Sequence, residues 1–439
     1  MAIDTIEHPR THSWPLRLRA PKPTRATAVR TIRIGLLGLG QVGQAVARLA
    51  ADRAATAHAA LRFNVEQALV RDITRARDCP DVRITAHPTV FLRGRYDVVI
   101  ETLDAVEPAR TLVTRLLGRG TSVVTANKAL VAHCGAHLTA IAAARGAAFR
   151  YEATALAGVP FLGTLAARPL VNCVDRLIAI VNGTTNFVLS ALAEQGCTFD
   201  DACGQARRLG YAEPDPSRDL DGLDAADKLL LLTSLFGWGH LSREALEVTS
   251  IRGLSADDPT AARTVGAAIK PVVFARREAA GVHAFVGPAL LSSSEPLASL
   301  GGVLNGIRLD GRHVSNLFFS GPGAGPAVTA ATLLDDAIQA ASTERVIHER
   351  PVSLTRTVCA GSPVTGWFLR VCCPGMLPSA SAITAVVAGA GLSVERVADY
   401  NTAHTRWLLI GAHHRRDVEA AIARLGNTHR IDAAAFRRL

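Results

Sequence analysis

The run Gly35-Leu-Leu-Gly38-Leu39-Gly40-Gln41-Val42-Gly43 restricts this chain more than any other stretch. It follows an apolar segment, residues 31–37, that reads as a buried strand, and it opens residues 41–55, which read as a helix. A strand that turns through such glycines into a helix is a dinucleotide-binding turn of a parallel sheet. Gly38 would make the tight turn, Gly40 would let the backbone approach a pyrophosphate, and Gly43 would let helix and strand pack closely. The helix start, with Leu39, Gln41 and Val42 around it, adds free N–H groups and partial positive charge for the phosphates.

The alternation continues downstream. Residues 64–70, 96–101 and 122–125 read as strands and 108–117 as a helix, so residues 31–150 predict right-handed βαβ units and an α/β Rossmann-type NAD(P)-binding domain. After residue 150 the pattern changes. Residues 174–181 and 315–319 alternate like strands, whereas 222–236 and 260–276 read as long helices. Residues 151–340 therefore predict an α+β substrate-binding and dimerisation domain. Residues 341–362, with Pro351 and few core signals, read as a linker. Residues 363–439 read as strand 366–372, helix 380–390, strands 393–399 and 406–411 and helix 416–424, a βαββα module of regulatory size. Residues 1–30 are rich in Pro and Arg without periodicity and read as a disordered leader.

Composition excludes several classes of function. A chain of 439 residues exceeds a single core, and 49% hydrophobic with 20% charged residues describes a soluble protein. No apolar run approaches membrane-spanning length and the N-terminus lacks the apolar core of a signal peptide, which predicts no membrane partner and a cytoplasmic protein. Eight cysteines form no CxxC spacing, so neither a zinc site nor a redox pair is expected. The net charge of +10 does not predict nucleic-acid binding. Arg10, Arg17, Arg19, Lys22, Arg25 and Arg30 crowd the leader against Asp4 and Glu7, and the remainder is spread without a basic stripe.

Only four of the 48 basic residues are lysine: Lys22, Lys128, Lys228 and Lys270. Arginine serves wherever a generic positive charge suffices, but guanidinium cannot release a proton. Each lysine is thus a candidate for chemistry closed to arginine; chance retention covers Lys22, and a structural ion pair is the reading for Lys270. Lys128 follows the strand 122–125, at the edge of the sheet where ligands bind. Between Gly210 and Lys228, Glu213, Asp215, Asp219, Asp221, Asp224 and Asp227 gather acid, and Asp224 and Lys228 lie i,i+4 on one helical face. Alone, that block reads equally as an acidic helix cap. Asn182-Gly-Thr184-Thr-Asn186, after an apolar strand, offers either a carboxylate cradle or a plain helix cap. At the second strand's end, Arg71 suits a 2′-phosphate if Asp72 turns away; this predicts NADP, with NAD as the alternative.

The motifs GLLGLGQVGQAVARL, VVTANKALVA, YEATALAGVP, VNGTTNFVLS and GYAEPDPSRDLDGLDAADKLLLL occur in the order and near the spacing of homoserine dehydrogenases, which the chain resembles over residues 31 to 340. The last seventy residues resemble the ACT domain that many members append. The resemblance implies interconversion of L-aspartate 4-semialdehyde and L-homoserine, in threonine and methionine biosynthesis, by a homodimer or higher homo-oligomer. With no kinase-sized segment before residue 31, a monofunctional enzyme is expected. The resemblance implies that Glu213 holds the substrate ammonium, with Thr184 also binding substrate. Asp224 would orient the reacting oxygen and Lys228. Lys228 would donate the proton, with Lys128 as partner or alternative. Gly210 and the loop Gly321-Pro-Gly323-Ala-Gly325 would face the cofactor. Glu152 and the carbonyls of Ala155, Ala157 and Val159 would hold a monovalent cation, sodium or potassium.

Three places depart from that pattern. Glu101-Thr102-Leu103-Asp104-Ala105 puts a carboxylate where members commonly carry a glycine pair near the nicotinamide. Gly-Pro-Ala-Val-Thr-Ala follows GPGA where many carry Pro-Thr-Ala. Cys372-Cys373-Pro374-Gly375 lacks the usual acidic residue before Pro-Gly, which argues against threonine feedback. The rival readings are a dehydrogenase retuned by Asp104 to another small aldehyde or hydroxy acid, and a catalytically silent amino-acid sensor.

Overall fold

In the computed structural model, which describes residues 29–56, 61–79, 82–342, 357–359, 363–373, 375 and 377–439, the expected parallel sheet is present. β1 (Arg30–Leu37), β2 (Leu61–Leu69), β3 (Ile84–Thr85), β4 (Val98–Glu101), β5 (Ser122–Thr125) and β6 (Phe149–Arg150) run in the order β3-β2-β1-β4-β5-β6, every pair parallel. The strand order reverses at β1, so the crevice beyond the carboxyl ends of β1 and β4 is a switch point for ligands. Alternate residues serve opposite faces. Ile34, Leu36, Val98, Ile100 and Val124 pack on one side, and Leu37, Val99 and Val123 on the other.

Helix Gln41–Ala51 covers the first face, and helices Val106–Gly118 and Lys128–Ala144 cover the second. The first face is completed from afar: helix Pro326–Ala340 returns to place Leu333, Leu334 and Ala337 against it. That helix lies in the segment expected to form the second domain, yet it packs on the first.

The second half of the chain forms a mixed sheet. β7 (Val174–Ile180), β8 (Glu247–Val248), β9 (Ala267–Glu278), β10 (Gly281–Ser292), β11 (Leu304–Gly311) and β12 (Leu317–Pro322) come from the middle segment. β13 (Thr365–Cys372), β14 (Val394–Asn401), β15 (Thr405–His413) and β16 (Asp432–Arg438) come from the last. The order is β12-β11-β7-β9-β10-β16-β13-β15-β14, with β8 beside β10.

The helix expected over 260–276 is corrected. Helix Asp258–Thr264 stops before Gly266, whose φ of +73° is unfavourable for other residues, and β9 follows. Pro271 cannot sit inside a helix, and Val272, Val273 and Phe274 favour a strand. Pro271 faces Pro288 across the ladder, where neither strand can donate.

The C-terminal module adds a sixth element to the expected βαββα order. β16 pairs antiparallel with β13 and parallel with β10, where Ala289 opposes Arg437. It thereby joins the module's sheet to the body's. Arg437 seals the seam: its guanidinium lies 4.7 Å from the Phe285 ring centre and 4.5 Å from that of Trp367, and it grips both oxygens of Glu247 at 2.8 and 2.7 Å. The expected leader, except for its last two residues, lies outside the described residues, as does most of the expected linker. Within the linker, Cys359 bridges to Val282. No helix among the described residues is long and apolar enough to cross a membrane.

Candidate functional site

The turn after β1 gives each fingerprint glycine a separate reason. Gly38 has φ +97°, and a Cβ there would meet the Thr102 hydroxyl at 2.9 Å. A Cβ on Gly43 would lie 2.5 Å from the Gly38 carbonyl, so this glycine is needed for packing. Around Gly40 a Cβ would meet nothing within 4 Å, which leaves its backbone open to a ligand. Gly40 caps helix Gln41–Ala51 without a side-chain hydrogen bond, and the first turn carries no acid. The N–H groups there suit a pyrophosphate.

Beyond β2, Arg71 is exposed. Asp72, itself exposed, bonds within its own loop: its Oδ1 accepts the Thr74 N–H at 2.8 Å and hydroxyl at 2.6 Å, which hold its carboxyl below the usual range. Arg71 stands open beside it.

The reactive cluster forms where the two halves of the chain meet. Val42, Thr102, Ala126, Lys128, Lys228 and Gly323 line a cleft of about 210 Å³ at the carboxyl edge of the parallel sheet. A second cleft of about 640 Å³ is lined by Lys128, His133, Arg218, Asp224, Asp227 and His240. Lys128, Leu103 and Asp104 belong to both walls.

Asp224 and Lys228 lie on helix Leu223–Leu235, one turn apart, after Gly222, whose φ is +76°. Asp224 bridges two lysines: Oδ1 accepts from Lys128 Nζ and Oδ2 from Lys228 Nζ, each at 2.9 Å. Lys228 Nζ also donates to the Val181 carbonyl at 2.6 Å, and the Asn182 amide donates to Asp224 Oδ2 at 3.0 Å. Burial opposes the Asp224 charge, but the two ammonium groups and Asn182 outweigh it and hold the carboxyl well below the usual range. Burial dominates at Lys228 and lowers its pKa; Asp224 opposes that and Lys128 adds to it. The result is a buried amine with a depressed pKa beside a carboxylate held ionised, an arrangement suited to exchanging a proton.

Other expected residues fall in three groups. Gly323 lines the smaller cleft, its close approach enforced by Asn305, and Gly325 caps helix Pro326–Ala340 with φ +125°. Thr184 opens helix Gly183–Gln195, and its hydroxyl donates to the Tyr211 carbonyl at 2.6 Å. Glu213 is exposed two residues beyond Tyr211 and lines neither cleft. Gly210, with φ +75°, follows helix Phe199–Arg208 and also lines neither; its left-handed conformation already favours glycine. Lys270 is buried but forms no ion pair among the described residues; its ammonium donates to the Leu300 carbonyl at 2.7 Å.

The expected cation donors share one loop, and two of the four already accept hydrogen bonds. Glu152 Oε1 accepts the N–H groups of Phe161 and Leu162, both at 2.9 Å, and Oε2 accepts that of Gly163 at 2.6 Å. The Ala157 carbonyl accepts the Thr332 hydroxyl. The Glu152 carboxylate thus accepts from the first turn of helix Leu162–Ala166, and a cation there would share it with those N–H groups.

Sequence reasoning did not single out Asn182 for the reactive cluster. Its Oδ1 accepts Thr185 N–H at 2.9 Å as a helix cap, while its Nδ2 donates to Asp219 at 2.8 Å and to Asp224. The cap was visible in the sequence; the second duty needs the fold. Glu101, fully buried beneath the cleft, was noted only as a boundary.

Comparison with known proteins agrees with this geometry. A family model described as "Homoserine dehydrogenase, NAD binding domain" matches residues 38–152, and one described as "Homoserine dehydrogenase" matches residues 160–338. A homoserine dehydrogenase of Synechocystis sp. is 33% identical, with the alignment covering 79% of this chain and 85% of the relative. One from Corynebacterium glutamicum is 35% identical, covering 71% and 72%. Among solved structures, a homoserine dehydrogenase from Thiobacillus denitrificans superposes with a TM-score of 0.78 at 28% identity, covering 93% of this chain and 98% of that one. A hyperthermophilic archaeal homoserine dehydrogenase in complex with NADPH gives 0.56 at 26%, covering 71% and 97%. With both halves matched by that family's models and most of its length aligned to members, this chain belongs to the homoserine dehydrogenase family.

Proposed function

We propose that this protein reduces L-aspartate 4-semialdehyde to L-homoserine with NADPH, and runs the reverse oxidation with NADP⁺. The observation that carries the reading is Asp224 bridging Lys128 and Lys228 on the wall of the dinucleotide cleft. The glycine turn fits a dinucleotide, as the open backbone at Gly40 indicates. Gly38, Gly40 and the N–H groups of the helix start would hold its pyrophosphate and Arg71 its 2′-phosphate. When bound, the nicotinamide supplies hydride.

The chain's own work is proton delivery and orientation. Lys228 gives its ammonium proton to the aldehyde oxygen, and its depressed pKa makes that transfer easier. Asp224 holds both lysines in place and compensates the charge of Lys228. Lys128, reaching across from the first domain, steers the same oxygen. Asn182 keeps Asp224 from rotating. Glu213 takes the substrate ammonium; supporting this, it is exposed in the acidic segment that leads into helix Leu223–Leu235. A monovalent cation held by Glu152 and the carbonyls of Ala155, Ala157 and Val159 would share Glu152 and Ala157 with the hydrogen bonds they already accept, and the proton transfer belongs to the lysines.

The same reading includes a homodimer. Its support is the edge strand β12, which leaves Leu317, Phe318 and Phe319 only partly covered. It includes a cytoplasmic place in amino-acid biosynthesis leading to threonine and methionine. The βαββαβ order of the last segment supports an ACT-like module. One observation favours the second reading: Asp104 stands in both clefts, where it could retune the enzyme to another small aldehyde. The test is NADPH oxidation with aspartate semialdehyde, wild type against Lys228→Ala. Turnover that collapses in the variant upholds the assignment. Undiminished turnover moves the proton to Lys128, and wild-type inactivity with NADPH bound favours the second reading.

A further inference from the structure

Glu101 ends β4 at 0% exposure and lines neither cleft, so it cannot touch a substrate. Its carboxylate nonetheless ties together the loops that build the cofactor edge. Oε1 accepts the Leu103 N–H at 2.6 Å, and Oε2 accepts the Thr125 hydroxyl. The Thr125 oxygen in turn accepts the Asn127 N–H at 2.9 Å. Asn127 caps helix Lys128–Ala144 through Leu130 N–H at 2.9 Å, and its amide donates to the Ala105 carbonyl at 2.9 Å. Thr102, next to Glu101, donates its hydroxyl to the Leu37 carbonyl at 3.2 Å, which extends the network to the glycine turn. Two loops thus bond directly to one buried acceptor, through Leu103 and Thr125, a third is tied in through Thr102, and the helix after the second begins with Lys128.

We propose that Glu101 is a positioning residue that sets where Lys128 meets Asp224 by locking Thr125, Leu103 and Asn127. The proposal rests on the reaction assigned above. Lys128 is long and half exposed, and its head contacts Asp224 across the domain boundary. Its base must therefore be held by the helix start, because a displacement of about 1 Å near reacting atoms can cost about a hundredfold in rate. A carboxylate accepts on both oxygens, whereas glutamine has one acceptor oxygen and so cannot take both the Leu103 N–H and the Thr125 hydroxyl as acceptors on separate oxygens.

Protonation should undo the lock. Burial pushes the Glu101 carboxyl up to about 7, against the hydrogen bonds from Thr125, Leu103 and Asn127. Asp104 on its own loop raises it further, and Lys128 opens the helix that Asn127 caps, with Asp224 as its partner. As pH falls through that value the acceptor is lost, and kcat should decline on the acid side.

The experiment compares wild type, Glu101→Gln, Thr125→Val and the double variant for aspartate-semialdehyde reduction across pH, with NADPH affinity measured separately. Glu101→Gln is expected to lower kcat about tenfold or more, keep the NADPH Kd within about threefold, and abolish the acid limb. Thr125→Val should reproduce the loss, and the double variant should be no worse than the more damaged single one. A kcat within about twofold of wild type, an acid limb that survives, or additive losses would overturn the proposal. A readout independent of turnover separates it from the assigned reaction: labelling of Lys128 by an amine-reactive reagent, referenced to Lys22 and read by peptide mass. Faster labelling in Glu101→Gln supports the lock even if the wild type fails on this substrate. Unchanged labelling refutes it.

Discussion

Replacing Asp224 by Asn keeps the shape of the side chain and removes its charge. In the wild type each lysine head lies 2.9 Å from a carboxylate oxygen. At an effective dielectric of about 20, a pair at that distance attracts by about 6 kcal/mol before desolvation is counted. The two pairs are not equal. Lys228 is 12% and Asp224 20% exposed, whereas Lys128 is 45% exposed and its pair is screened by solvent. Removing one partner of a buried pair costs about 3–5 kcal/mol, and this pair's residual exposure places it near the lower end. The consequence falls on Lys228, whose pKa burial already depresses and Asp224 props up. Without the carboxylate it falls further, and less of the amine carries a proton at neutral pH. A positioned general acid contributes about 10²–10⁴ in rate, so kcat for aldehyde reduction should drop about a hundredfold. The sign with pH is definite. Reduction needs protonated Lys228, so the rate declines as pH rises through its pKa, and in Asp224→Asn that decline moves to lower pH. Steady-state NADPH oxidation across pH, with a denaturant titration to confirm folding, reads both. A kcat within about threefold of wild type, or a decline that stays in place or moves to higher pH, would refute the reasoning.

Arg71→Ala should raise the KM for NADPH about tenfold or more, by loss of a charge-assisted contact to the 2′-phosphate, and leave that for NADH nearly unchanged; equal effects on both would remove Arg71 from cofactor selection. Two glycine variants should separate binding from folding. Gly43→Ala forces a Cβ to 2.5 Å from the Gly38 carbonyl and should lower the melting temperature as well as NADPH affinity. Gly40→Ala meets no protein atom within 4 Å and should weaken NADPH binding while the melting temperature holds.

The parallel sheet was legible because its central strands, β4 and β5 with the end of β1, are buried and read as unbroken apolar runs, β5 to the residue. β9 was misread because Ala267 and Ala268 prolong the helical pattern of the preceding segment, although Pro271 already argued against a helix. β16 carries three alanines and an aspartate, and acquires strand character only from its neighbours β10 and β13. The return of helix Pro326–Ala340 to the first sheet is a long-range choice between apolar faces that no local pattern records. The site divides in the same way. Asp224 and Lys228 share one helix, and their pairing follows from spacing alone. Lys128 joins them across 96 positions and Asn182 across 42, so the lysine was nominated by its rarity and by resemblance, and the asparagine only as a cap. Glu152 was named as a cation ligand by resemblance, and what the sequence does not show is that it accepts three N–H groups from residues nine to eleven positions further on, where the chain folds back onto it.

The most direct measurement follows the hydride itself. NADPH deuterated at the transferable position would be incubated with L-aspartate 4-semialdehyde and the wild-type protein, and the product examined by mass spectrometry. The account predicts homoserine carrying one deuterium on the new alcohol carbon, formed by the wild type and not by Lys228→Ala. Unlabelled product, or a cofactor that binds while the aldehyde is left untouched, would contradict it.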